Sequence, residues 1–461
     1  MAATTLAGSA APASPFDRQS LERLLADSAA AGWIADRRRA AFERLSCLAL
    51  PDRRDENWMR TDLRMFKPHA WSRRPAAAGG ATPEGLLATA ILSGELVDDA
   101  DAAAARLAGT LAGRIAALDG HVLHEQLDPA LAAQGVLFGS ADRLLAEHGD
   151  LLEPHWFSVI DSGCDWFAAL HAAFHAASAV LYVPPRVRIA APLHVVAGMS
   201  AGGLDTSHVL VVLGEGAEAT VLTETAGGGP AGSSGGFHCG GTEVVVGRNA
   251  FLRLVNLQNW ETGVWHVARQ RAVVEAGGRL QWTLGALGSR LSQVAQDVAL
   301  VGRGASAQVN GVMFTEGRQQ LVYNTLQHHE APACRSDLLY KGALQDRSRL
   351  VWRGMIKVDK AAQKTDGYQR NDNLMLSNEA RADSIPGLEI EADDVRCTHG
   401  ATSGRVDAEQ IFYARARGLT ADEAARLVVA GFFQQVFDRI TIPPVREALA
   451  RAIGRRIRRI A

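Results

Sequence analysis

One cysteine and one histidine, Cys397 and His399, stand two residues apart in the stretch Leu388-Glu-Ile-Glu-Ala-Asp-Asp-Val-Arg-Cys-Thr-His-Gly-Ala-Thr402, which alternates like a β-strand. Successive side chains on a strand point to opposite faces, so on this reading Glu389, Glu391, Asp393, Cys397 and His399 share one face. Three carboxylates beside a thiol and an imidazole are too costly to bury unpaired, which directs that face to solvent, a partner subunit or a metal. Thiolate and imidazole both suit a borderline-soft metal such as iron. Two donors are half a site, because protein metal centres use three or four. The pair alone does not separate such a half-site from an incidental Cys and His on an exposed strand.

The other candidate clusters are weaker. His171 and His175 lie four apart on an expected helix, without the glutamate of a zinc-protease motif between them, and read as packing or helix-surface histidines. His121 and His124 form a second helix-spaced pair with no third ligand. His328 and His329 sit near Glu330 and Cys334, but adjacent strand residues face opposite ways, and the group reads as a loop feature. There is no serine nucleophile elbow, no dinucleotide fingerprint and no Gly-Lys-Ser/Thr phosphate loop. The Gly-rich run Ala226 to Gly236 reads as a flexible connection. Asp393 and Asp394 invite a polysaccharide-lyase reading, yet as strand neighbours they cannot converge on one substrate.

The elements that must position Cys397 and His399 follow from periodicity. Between Val187 and Thr402 short alternating segments recur, each broken by a Gly or turn-rich step such as Val211 to Ala219, Val244 to Leu252 or Val273 to Leu280. A turn element that repeats every few tens of residues predicts a solenoid, here a parallel β-helix over residues 180–404. Its coils cover one another's apolar faces, and its two ends need caps, which the helices before and after it are expected to supply. Residues 1–179 read as a mostly helical N-terminal domain with a disordered start of about sixteen residues. Helical character is expected near Pro83 to Leu92, over Ala102 to Leu118, and from about Asp165 to Ser178. Residues 405–461 read as a C-terminal helical domain. There Thr420 and Glu423 form a capping box, and Ala424, Leu427, Val428, Phe432 and Val436 form an apolar stripe suited to a partner.

Composition narrows the class. The 461 residues carry 48 basic and 50 acidic side chains, so no overall field recruits nucleic acid or an anionic membrane. The terminal arginines, Arg446 to Arg459, read as a solvated or partner-facing helix. Five scattered cysteines without a CxxC pair argue against a disulfide framework and for a reducing compartment. No apolar run reaches the roughly 20 residues that span a bilayer, and the start lacks a signal-peptide pattern. Together these predict a cytoplasmic protein.

Several motifs then occur in order: Glu56-Asn-Trp-Met-Arg-Thr-Asp-Leu63, Tyr340-Lys-Gly-Ala-Leu, Gly354-Met-Ile-Lys-Val-Asp, Ala362-Gln-Lys-Thr-Asp-Gly-Tyr-Gln, Asn373-Leu-Met-Leu-Ser, the Cys397 stretch, and Ile411-Phe-Tyr-Ala-Arg-Ala-Arg-Gly418. This set resembles the SufB/SufD family of the SUF iron–sulfur cluster assembly machinery, and within it the SufD branch. Met59 and Arg60 depart slightly from the family's upstream signature. The resemblance implies a right-handed parallel β-helix and a non-enzymatic scaffold that pairs with a SufB subunit through sheet edges near the solenoid's end. It implies a SufC ATPase docked on the C-terminal helices, where Leu427, Phe432 and Val436 are the expected contacts. It also implies a transient iron–sulfur cluster or iron at the junction, with Cys397 and His399 in the family's Cys-x-His stretch. A flavin in the assembled complex is compatible with the family and is announced by no residue here. SufB carries a further cysteine in the turn matching Ser377 to Ala382, which has none here, and a glutamate where this chain has Gly400. The missing thiolate would then come from the partner. Two other classes stay open at this point: a homo-oligomeric SufB-like scaffold and a β-solenoid carbohydrate-active enzyme.

Overall fold

The computed structural model describes residues 15–26, 32–74, 82–87 and 111–457. The expected helix near Pro83 to Leu92 and the first part of Ala102 to Leu118 lie largely outside the described residues.

Twenty strands build two long sheets. In chain order they are β1 (Gly113–Leu118), β2 (His121–Leu127), β3 (Leu137–Ser140), β4 (Ala179–Val183), β5 (Leu193–Met199), β6 (Gly203–Asp205), β7 (His208–Leu213), β8 (Glu218–Gly227), β9 (Gly236–Val246) and β10 (Phe251–Trp260). They continue as β11 (Val264–Val274), β12 (Arg279–Ala286), β13 (Leu291–Leu300), β14 (Ser306–Thr315), β15 (Gln320–His329), β16 (Arg335–Leu344), β17 (Arg349–Val358), β18 (Asp366–Met375), β19 (Arg381–Ile390) and β20 (Arg396–Arg405). From β8 onward even-numbered strands join one sheet and odd-numbered strands the other, all in parallel register. The chain therefore passes alternately between two facing sheets, which is a parallel β-solenoid.

A left-handed residue at one corner sets the repeat. Arg186 (φ 65°), Gly216 (67°), Asn249 (55°), Gly277 (66°), Gly304 (72°), Ala333 (59°) and Lys364 (62°) occupy it in successive coils. Each donates its N–H to a carbonyl of the following coil, from Arg186 to Glu215 through Lys364 to Asp394. The sharp bend needs the left-handed region, which explains the recurring Gly and Asn in the sequence and marks the non-glycine positions as strained.

In-register pairing keeps one side-chain parity facing the lumen through the whole stack. Val221, Leu254, Trp282, Val309 and Leu338 form one such column, and Val294, Tyr323 and Trp352 another. All are buried in one core. Helices cover the outer faces. On the odd-strand sheet lie α1 (Arg18–Ala26), α2 (Gly32–Cys47), α3 (Ala141–Glu147) and α4 (Trp166–Phe174); Phe42 and Phe167, with Trp58 and Phe66 from the connecting chain, pack onto Phe237, Trp265 and Val267, and Leu144, with Trp156 from the chain before α4, packs onto Leu210 and Val212. On the even-strand sheet lie α6 (Ala421–Phe437) and α7 (Pro443–Arg456), packed through Phe433, Val436 and Leu449 onto Leu257, Val312 and Leu339, while α5 (Ala408–Ala416) packs against α6.

Four expectations are corrected. Gly113–Leu118, expected as the end of a helix, is a strand, because parallel pairing with β5 and antiparallel pairing with β2 outweigh its helical pattern. His121 and His124 accordingly sit on a strand, and His328 and His329 end β15 instead of lying in a loop. The C-terminal helices run along the side of the solenoid and do not cap its end. No helix among the described residues is long and apolar enough to cross a membrane.

Candidate functional site at the open end of the solenoid

The last coil is the pair β19 and β20. Each is the terminal strand of its sheet, paired on one side only, to β17 and β18. The opposite end differs in that its terminal strands, β2 and β3, run antiparallel to their neighbours.

Register fixes which way the last coil's side chains point. On β18, Gly367, Gln369, Asn371 and Asn373 are the buried alternates, and Cys397, His399, Ala401 and Ser403 pair with them in parallel. A parallel register preserves face, so Cys397 and His399 look into the lumen where it opens. Backbone polarity follows the same alternation. Arg396 donates its N–H to Thr365, so even-numbered positions of β20 bond to β18 and odd ones, Cys397 and His399 among them, direct N–H and C=O to the open edge. On β19, Arg381 donates to Ser348, leaving the even positions toward the edge. Pro386 falls on one of these, where its missing N–H costs no ladder bond.

Cys397 is half-buried against Ile356, Val358, Ala362 and Ala392. Its sulfur occupies the space left by Gly367, where a Cβ would lie 3.3 Å from it. Burial pushes the thiol above its usual range, with a smaller opposing effect from the Gly367 backbone and a further upward one from Asp366. The free chain therefore holds a thiol, and a metal that binds it must displace the proton. His399 is exposed beside Gln369.

The five-residue face expected from parity does not form. Residues 391–395 turn the corner between the two sheets, and alternation does not carry across such a bend. Glu389 lies on the outer face of β19, 3.1 Å from the Lys357 amine, while Glu391 and Asp393 are exposed in the turn. Among the described residues no group of three or more His, Cys, Asp and Glu side chains is placed to hold a metal.

The other histidines are structural. His171 and His175 are buried against Phe157, with His175 also against Trp156, and burial holds both well below the usual imidazole range. His328 contacts Asp359 at 2.9 Å and Glu330 at 3.0 Å. His329 points inward to the Ser336 hydroxyl at 2.8 Å, and burial lowers its pKa to about 4.

The C-terminal contact residues separate. Leu427 is 58% exposed, and Val436 is fully buried against the even-strand sheet. Phe432 is partly buried; its carbonyl accepts from Lys341 Nζ at 3.0 Å, and that amine lies 4.8 Å from the Phe432 ring centre. Exposed Phe412 and Tyr413 on α5, which sequence reasoning missed as contacts, accompany Leu427 on the helical layer.

Sequence reasoning also missed a polar path inside the lumen. Near the last coil Asn371, Asn373 and Ser384 are joined by hydrogen bonds, Asn373 to Ser384 at 2.9 Å and Ser384 to Asn371 at 2.6 Å, while Gln369 donates to the Gly387 carbonyl at 3.0 Å and Gln327 to the Ser336 hydroxyl at 2.7 Å. Its signal was polar residues on the buried parity of β18. The Glu56 signature is a clamp on the outer face. The Asn57 carbonyl accepts from Gln293 at 3.0 Å and Asn324 at 3.2 Å, and Trp58 stacks on Phe167 at 4.8 Å.

Comparison with known proteins supplies the family. Residues 196–432 match the family described as SUF system FeS cluster assembly, SufBD core domain. The chain belongs to the SufBD family. Proteins described as iron-sulfur cluster assembly SufBD family proteins from Staphylococcus epidermidis and Staphylococcus aureus are 27% and 26% identical over 325 residues, 70% of this chain and 70% of each relative. A SufBD protein takes part in iron–sulfur cluster assembly in the SUF system, and the matched span reaches from β5 to α6, through the last coil.

Proposed function

We propose that this chain is a SufD-type scaffold, without catalytic activity of its own, that pairs in the cytoplasm with a SufB-like subunit. The observation that carries the reading is the open last coil, which presents two ten-residue strand edges and, between them, Cys397 and His399 facing the lumen mouth. An unpaired edge of that length is a template for another strand. A partner on these edges would cover the mouth and bring its own donors to the thiol and imidazole. The nascent cluster is the cargo of that junction. Two donors here leave room for the partner to supply the remainder, including a thiolate.

A SufC-like ATPase docks, on this reading, on the outer helical layer at Phe412, Tyr413 and Leu427. Val436 supports the helix from beneath, and Phe432 is fixed by Lys341.

Anaerobic reconstitution of the complex co-expressed with SufB-like and SufC-like subunits tests the proposal. The Cys397→Ala, His399→Ala double variant is expected to form a complex of unchanged mass yet hold at most about a tenth of the wild-type iron and sulfide, as expected when ligands are lost. Wild-type loading by the double variant would remove this pair from the site. A complex containing only copies of this chain would replace the SufB-like partner by a second copy.

A further inference from the structure

Three polar side chains form one row across the outer face of the even-strand sheet. Lys341 on β16 is in register with Asp372 on β18, and Asp372 with Thr402 on β20, the terminal strand. Strand spacing puts neighbours in such a row about 5 Å apart. Lys341 and Asp372 are both buried, while β20 is exposed along most of its length.

A buried carboxylate is tolerated only when donors surround it. Asp372 Oδ1 accepts from the Thr402 hydroxyl at 2.6 Å and from Arg370 Nε at 2.9 Å. The Lys341 amine stands 3.6 Å from Asp372 Oδ2, beyond hydrogen-bond length, and instead donates to the Phe432 carbonyl of α6 at 3.0 Å, with the Phe432 ring centre 4.8 Å away. Burial lowers the Lys341 pKa, and Asp372 acts against that. The amine thus stands between a carboxylate and a helix, and which of them it serves depends on how well Asp372 is satisfied from its other side. Thr402 is the donor on that side, and its strand is held along one edge only. Fraying of β20 withdraws the hydroxyl, and Lys341 is then drawn toward Asp372 and off the Phe432 carbonyl. A partner strand on β20 keeps Thr402 in place and leaves the amine on α6.

We propose that Thr402, Asp372 and Lys341 are positioning residues that couple the β20 edge to α6, so that a SufB-like subunit on β20 strengthens docking of the SufC-like ATPase on the helical layer. The coupling rests on the two docking surfaces of the proposed function, and linkage makes it reciprocal.

Hydrogen–deuterium exchange of α6 in the full chain, alone and saturated with the SufB-like subunit, tests the proposal, together with the affinity of the ATPase for the same two samples. In wild type, pairing is expected to slow exchange across α6. Thr402→Val, a nearly isosteric change at an exposed position, should pair normally and, without the SufB-like subunit, bind the ATPase as wild type does. Its α6 should not respond to pairing, and its pair should bind the ATPase at least about fivefold more weakly than the wild-type pair. Thr402→Ser, which keeps the hydroxyl, should restore both effects. Unchanged α6 exchange on pairing of wild type, or Thr402→Val equal to wild type in both readouts, would overturn the coupling and leave the two docking surfaces standing. Failure of wild type to pair, or to bind the ATPase, would overturn those surfaces and the coupling with them.

Discussion

At the scale of single residues, burial decides the chemistry. His171, His175 and His266 are held well below the usual imidazole range by burial, and His329 is lowered to about 4. A histidine kept neutral in the folded state and free to protonate when unfolded makes the unfolded chain bind more protons. The stabilisation is complete above the ordinary imidazole value of about 6.5 and is lost as pH falls from there toward about 4 for His329. Urea unfolding at pH 7.5 and pH 5.5 should therefore show a loss of about 1 kcal/mol for each such histidine. His329→Gln, which can keep a hydrogen bond to Ser336, should reduce that loss; an unchanged pH dependence would mean that His329 is already charged in the fold. The sequence made the Cys397 and His399 pair legible because spacing survives in one dimension. It hid their separation from Glu389, Glu391 and Asp393, because a corner between sheets resets strand parity. It hid Arg38 as well, since nothing local distinguishes a buried arginine from a solvated one.

At the scale of elements, the C-terminal helices show where a pattern is clear and its phase is not. The capping box at Thr420 and Glu423 forms as expected, and α6 begins at Ala421. The buried set is Ala424, Ala425, Val429, Phe433, Val436 and Phe437, rotated from the stripe read through Leu427, Val428 and Phe432. Both sets fit a helical period, and only the curved outer surface of the even-strand sheet selects between them. The two faces have different jobs, and substitutions should separate them. Val436→Asp places a charge in an apolar contact and should destabilise the protein by several kcal/mol, seen as a lower urea midpoint. Leu427→Asp should change stability by no more than about 0.5 kcal/mol, yet weaken capture of the SufC-like ATPase, as should Phe412→Asp. Undiminished ATPase binding by a Leu427→Asp, Phe412→Asp double variant would place docking elsewhere.

At the scale of the whole molecule, the solenoid was legible because four successive left-handed corners, Gly216, Asn249, Gly277 and Gly304, are Gly or Asn. Its ends were not, because capping depends on where distant helices come to rest, and here they rest on the flanks. The stack consequently begins on antiparallel strands and ends on a parallel coil with open edges. Proline on the even parity of β19 limits indiscriminate strand addition at one edge, while β20 keeps every odd N–H and carbonyl free for a partner. This polarity permits a selective test of the junction. Ala401→Pro removes an N–H that points to the open edge and leaves the even-numbered bonds to β18 in place. It should shift the urea midpoint only slightly and should not alter ATPase capture. If a SufB-like subunit adds to β20, the same substitution should weaken that pairing at least about tenfold, because the ladder loses a bond and meets a proline ring. Sedimentation of the co-expressed subunits measures this directly, and Thr402→Ala, whose N–H faces β18, serves as the control. Equal pairing by both variants would exclude the β20 edge and leave β19, with its single proline, as the strand that the partner extends.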